Sequence, residues 1–161
     1  MKNVITSNTY CSLPFETLDI ETSGNYRICC DIDWTSEEAT KMNLIKDKQG
    51  VPYKVFEKKP SEIFNNEEYT SLRKMMLNDE KSIMCKSCFD REDNAKTYDE
   101  ISRRKRYLPL ETPSNNVLVD VKKIRRIFLR MGNLCNLKCR MCNPYSSSLW
   151  VDDWNDMAKT T

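Results

Sequence analysis

The stretch that decides the fold is KIRRIFLRMGNLCNLKCRMC, residues 123–142. Its first half predicts a strand over 123–131, because Ile127, Leu129 and Met131 alternate with Arg126, Phe128 and Arg130. A cysteine-rich loop follows at once, and Ser146 or Ser147 then caps a predicted helix that contains Trp150 and Trp154. The order is therefore strand, cysteine loop, helix.

The loop places Cys135, Cys139 and Cys142 in the spacing C-x3-C-x2-C. Three thiolates this close together can hold one face of an iron–sulfur cluster. A [4Fe–4S] cluster usually has four thiolate ligands, and no fourth cysteine lies nearby. One iron would then remain open to a small ligand, as the free position of a catalytic zinc site does.

These features resemble the radical SAM superfamily. The resemblance implies that the loop follows the first strand of a partial α/β (TIM-like) barrel, and that Cys135, Cys139 and Cys142 bind a [4Fe–4S] cluster. S-adenosylmethionine would chelate the open iron, and one electron would cleave it to methionine and a 5′-deoxyadenosyl radical. Met141 departs from the pattern, since an aromatic residue is common before the last cysteine.

A second cysteine set lies upstream. Cys11, Gly24 and Cys29 form C-x12-G-x4-C around a predicted hairpin, whose strands are residues 15–20 and 26–29. Cys85-x2-Cys88 lies further along the chain. The hairpin would bring the first pair together, and C-x2-C would supply two adjacent thiolates.

This second set resembles the SPASM and shorter twitch domains of radical SAM enzymes, and the twitch form matches better. The resemblance implies an auxiliary iron–sulfur cluster on Cys11, Cys29, Cys85 and Cys88, although such domains usually follow the barrel. The spacing favours Cys29 over Cys30 as the ligand. An all-cysteine site could equally hold zinc, and only the neighbouring three-cysteine loop favours iron.

The predicted fold class is α+β, with a SPASM/twitch-like module of a hairpin and helices at 1–108. A linker at 109–122 precedes the start of the barrel at 123–161. Helices are predicted over 66–78 and 90–107, and a long loop over 31–60. Since only one strand–helix unit of a barrel is present, we expect a fragment or a split enzyme that a second chain completes, and activity of this chain alone stays open.

Composition excludes several classes of protein. The 161 residues contain 0 histidines, which removes histidine-based catalysis and histidine metal sites. No apolar run is long enough for a membrane span, and no signal-peptide core is present. We therefore expect a cytoplasmic protein, in whose reducing environment the 8 cysteines favour metal binding over disulfides.

Three function hypotheses remain from the sequence. The first is a radical SAM enzyme acting on a peptide, protein or small molecule, reduced by a flavodoxin or ferredoxin. Its auxiliary cluster would accept an electron or anchor the substrate. The second is a non-enzymatic four-cysteine zinc module that binds nucleic acid or an acidic partner through the basic stretch 103–130. Residues 101–130 contain 9 basic and 2 acidic residues. A solvated surface explains that stretch more simply. A secreted disulfide protein ranks last.

Overall fold

The computed structural model describes residues 7–32, 36–97, 102–107, 116–130, 132–144 and 146–159. They form a mixed α+β fold with a small three-stranded sheet, which confirms the predicted class. The helices are α1 Leu13–Glu16, α2 Glu37–Asn43, α3 Pro60–Ile63, α4 Glu67–Leu77, α5 Lys86–Asn94, α6 Arg103–Arg106 and α7 Val151–Lys159. The strands are β1 Thr17–Ile20, β2 Tyr26–Arg27 and β3 Arg126–Leu129.

The sheet has the strand order β2-β1-β3. β1 pairs antiparallel with β2, and Gly24 has a φ of +83° in the predicted turn between them. β3 pairs parallel with β1, from Thr17 opposite Arg126 to Ile20 opposite Leu129. The strand predicted to open a barrel thus lies in the same sheet as the predicted hairpin. The division at 109–122 stays a prediction.

Strands β1 and β3 are shorter than the sequence predicted. β1 begins at Thr17 rather than at residue 15, because Pro14 lies in the first turn of the short helix α1. β3 covers Arg126–Leu129. Met131, predicted as the last residue of that strand, lies outside the described residues.

The helix predicted over 66–78 is confirmed as α4. Asn66 caps it by accepting a hydrogen bond from the backbone N–H of Tyr69 at 3.2 Å. Its inner face also buries Arg73, whose guanidinium donates to the carbonyl oxygens of Pro14 at 2.8 Å and Val117 at 3.1 Å. Arg73 therefore ties α4 both to α1 and to the segment leading into β3.

Two predicted elements are wrong. Residues 31–60, predicted as a loop, contain α2 and several isolated β-bridges, because α2 buries Ala39 and Asn43 against the core. The helix predicted over 90–107 is instead two helices, α5 and α6. Helix α5 ends at Asn94, and Ser102 and Arg104 both contact the carboxylate of Glu92. That pairing explains the break.

The last helix follows the cysteine loop as predicted, after one 3-10 turn at Ser148–Trp150. Ser147 precedes that turn but does not cap it, because its hydroxyl donates to the carbonyl oxygen of Leu137 at 2.7 Å. Among the described residues, none of the helices has the length and apolar character that crossing a bilayer requires.

Candidate metal centres

The fold brings together the four cysteines that the upstream pattern singled out. Cys11 precedes α1, Cys29 follows β2, Cys85 ends a 3-10 turn and Cys88 lies one turn into α5. All four line one small enclosed cavity, whose apolar wall comes from Leu13, Leu72, Met76 and Met84. Residues up to 77 positions apart in sequence therefore share one interior site.

The N–H of Asp31 donates a hydrogen bond to the sulfur of Cys29 at 3.4 Å. Hydrogen bonds to an ionised acceptor are stronger than those to a neutral one, so this donor favours the thiolate form of Cys29. Burial raises the pKa of Cys11 and Cys88, and the backbone amides of Leu13 and Arg104 act in the opposite direction.

Burial opposes ionisation of the unligated thiols. Desolvation raises the pKa of Cys85 to about 12 and also raises the pKa of Cys11 and Cys88. The pKa of Cys29 is raised well above its usual value, first by its hydrogen bond to Cys30 and then by burial. A bound metal must therefore displace protons from these groups.

Cys30 does not line the cavity. Its side chain is buried, and the influence of Cys29 lowers its pKa. Only Cys29 of the adjacent pair lines the cavity. This geometry agrees with the spacing argument for Cys29, whose role as a ligand stays a prediction.

Asn43 fixes the backbone at Cys29. Its side-chain oxygen accepts from the N–H of Ile28 at 3.2 Å and of Cys29 at 2.8 Å, and its amide donates back to the Cys29 carbonyl at 2.9 Å. The Asn43 side chain is buried at the end of α2. Sequence reasoning missed it, because the helix that carries it was predicted as a loop.

In the described part of the chain, no three cysteine, aspartate or glutamate side chains come close enough to hold one metal ion. The structure thus brings the four cysteines to one cavity without arranging them as a set of metal ligands.

The three-cysteine loop follows the carboxyl end of β3, which is parallel to β1. Parallel strands of α/β barrels place functional groups at this end. Cys135 and Cys142 are half-buried and Cys139 is exposed. Their neighbours Leu134 and Met141 are 94% and 97% exposed, which is unusual for apolar side chains.

Local hydrogen bonds shape this loop. Asn133 joins its two ends, since its side chain donates to the Pro144 carbonyl at 2.9 Å and its carbonyl accepts from the N–H of Ser148 at 2.7 Å. The indole N–H of Trp150 donates to the Cys139 carbonyl at 3.0 Å. The sequence analysis placed Trp150 only within the predicted last helix, and it did not indicate a role for Asn133.

Comparison with known proteins gives no match for this chain, whether to a family model, to a curated protein or to a solved structure. The interpretation of the two cysteine sets therefore depends on their geometry and on the sequence pattern.

Proposed function

We propose that this chain is part of a radical SAM enzyme with two iron–sulfur centres. Cys135, Cys139 and Cys142 would hold the [4Fe–4S] cluster that binds S-adenosylmethionine, and Cys11, Cys29, Cys85 and Cys88 would hold the auxiliary cluster. The observation that carries the proposal is the convergence of the second set on one cavity. Two cysteine patterns, each typical of the same kind of enzyme, thus occur in one fold.

The donor set of the cavity fits an iron–sulfur cluster. Its ligand atoms would all be thiolates, and the N–H of Asp31 already donates to the sulfur of Cys29 at 3.4 Å. Hydrogen bonds to sulfur are among the features that tune such clusters.

The three-cysteine loop fits a centre with an open iron. It offers three thiols, two of them half-buried, on a backbone held by Asn133 and Trp150. When bound there, a [4Fe–4S] cluster with S-adenosylmethionine supplies a 5′-deoxyadenosyl radical that abstracts hydrogen from a substrate. Resemblance suggests a peptide or protein substrate, with small molecules as the alternative, and a flavodoxin or ferredoxin as the reductant.

A second chain completing the barrel is part of this proposal. β3 lies at one edge of the sheet, and its side chains Ile127 and Leu129 are 63% and 55% exposed. On α7, Val151 and Trp154 are exposed as well. Exposed apolar residues on an edge strand and the next helix are typical of a surface that another element covers.

The basic stretch gives less support to nucleic acid as a partner. Arg104 forms an ion pair with Glu92, and Arg126 pairs with Glu16 at 3.0 Å. These cations are engaged within the chain, so fewer of the basic residues remain for a phosphate backbone. We retain the zinc module as the outcome that the following experiment would reveal.

The test is metal analysis of the full chain after anaerobic reconstitution. We expect about eight irons with matching acid-labile sulfide, as two [4Fe–4S] clusters require, and an electron paramagnetic resonance signal that changes when S-adenosylmethionine is added. Cys139→Ala should remove that change and leave the auxiliary signal. Zinc without iron would contradict the proposal and identify a zinc module.

A further inference from the structure

Helix α6 forms one side of the four-cysteine cavity. Arg103 and Arg104 line the cavity beside the cysteines. The side chain of Arg104 is only 9% exposed and that of its partner Glu92 only 8%. A guanidinium is costly to bury, so its position next to four thiols calls for an explanation.

Arg104 is held in a single orientation. Its Nε donates to Glu92 Oε1 at 3.0 Å, its Nη2 donates to Glu92 Oε2, and its Nη1 donates to the Tyr10 carbonyl at 3.2 Å. The guanidinium also lies 4.8 Å from the centre of the Phe89 ring. Its charge is therefore fixed in place relative to the cavity.

The charge of Arg104 lies beside the sulfurs. Arg104 lines the same cavity as Cys11, Cys85 and Cys88, and its side chain is largely shielded from solvent. Glu92, which pairs with it, offsets part of its charge. Arg104 thus favours additional negative charge in the cavity.

Asp31 supplies the opposite charge. It also lines the cavity, and its Oδ2 lies 4.0 Å from the sulfur of Cys88. Arg91 and Arg103 approach its carboxylate at 3.5 and 3.6 Å. Both of these arginines are more exposed than Asp31, so solvent weakens their compensation.

We propose that Arg104 and Asp31 set the reduction potential of the auxiliary cluster in opposite directions, Arg104 raising it and Asp31 lowering it. The inference rests on the proposed function. Reduction adds one negative charge to the cluster, and a buried cation stabilises that charge while a buried carboxylate destabilises it. Neither side chain is a ligand, so both are positioning residues.

The experiment uses the full chain with Cys135, Cys139 and Cys142 changed to alanine, so that one cluster remains. Its potential is measured by redox titration followed by electron paramagnetic resonance. We expect R104Q to lower the reduced-to-oxidised ratio at a fixed potential about tenfold, a negative shift of about 59 mV for one electron. D31N should shift the potential in the positive direction.

Two further variants separate charge from fold. R104K keeps the charge while losing the two-pronged bond to Glu92, and should shift the potential much less than R104Q. R106Q removes the same charge from an exposed position on the same helix and should leave the potential unchanged, because solvent screens it.

The outcomes are distinct. Shifts of R104Q and D31N in the same direction, or no larger than that of R106Q, would overturn the inference and leave the proposed function intact. Loss of iron from both R104Q and R104K would also overturn it, because the pair with Glu92 would then serve only to hold the fold. A parent protein that binds no iron would overturn the proposed auxiliary cluster itself.

Discussion

The four-cysteine cavity and the three-cysteine loop differ in how the chain supports them. The cavity is assembled from four separate elements and is enclosed by core residues such as Leu72 and Met84. The hydrogen bonds that hold the loop lie within residues 133–150, and its apolar side chains are exposed. A metal bound in the cavity would therefore be coupled to folding of several distant elements, whereas a metal bound at the loop would be coupled only to local order.

The largest expected effect comes from removing one cysteine of the four-cysteine cavity. Cys88→Ala should release the auxiliary metal and lower the melting temperature by roughly 10 °C, because a structural metal site contributes folding free energy directly. Cys139→Ala should change the melting temperature little. Calorimetry of the two variants, with Cys30→Ala as the matched buried control, measures the difference. Equal melting temperatures for Cys88→Ala and Cys30→Ala would contradict the assignment of Cys88.

The next prediction concerns the pH dependence of metal binding in the four-cysteine cavity. Burial raises the pKa of Cys11, Cys85 and Cys88, so these thiols are protonated at neutral pH and a metal must displace their protons. Affinity should therefore fall as pH falls, by up to about four orders of magnitude per pH unit if all four thiols release a proton. Competition titrations with Zn²⁺ as the probe, at pH 6, 7 and 8, measure this in the chain whose loop cysteines are alanine. An affinity independent of pH would show that the thiols are already ionised.

Arg73 connects helices α1 and α4, which lie beside the cavity, to the segment that precedes β3 and the three-cysteine loop. Arg73→Leu should cost about 3 kcal/mol, because it leaves the buried carbonyls of Pro14 and Val117 without a donor. Denaturant unfolding measures this, with the exposed Lys74→Leu on the same helix as the control. If both variants lose the same stability, Arg73 does not join the segment before β3 to the rest of the fold.

The smallest effect on stability is expected at β3, the exposed edge strand of the sheet. Ile127→Lys should change the stability of this chain by less than about 0.5 kcal/mol, since the side chain is 63% exposed. Denaturant unfolding of the variant and of the parent protein measures the difference. A loss above about 1 kcal/mol would show that Ile127 packs within this chain and is not part of a surface that another element covers.

Local sequence patterns predicted the elements whose residues lie close together in the chain. Asn66 and the glutamates after it indicated α4, and Gly24 indicated the turn between β1 and β2. The strand, loop and helix around Cys135, Cys139 and Cys142 also followed from spacing. In each case the determining interactions span only a few residues, so periodicity and turn chemistry suffice.

The predictions from sequence were wrong where contacts between distant residues override the local preference for helix or loop. The predicted helix over 90–107 is broken because Glu92 pairs with Arg104. Helix α2 was missed because its main contact with the core is made by the buried Asn43, which binds the backbone of Cys29. Neither pairing leaves a periodic signal in the chain.

The sequence by itself therefore predicted the α+β class and grouped seven of the cysteines into two sets. Only the tertiary structure decided that β3 pairs with β1, that Cys29 rather than Cys30 reaches the cavity, and that Arg104 and Asp31 flank it. The physical reason is that spacing along the chain fixes local geometry, whereas strand pairing and burial depend on how distant segments share one core.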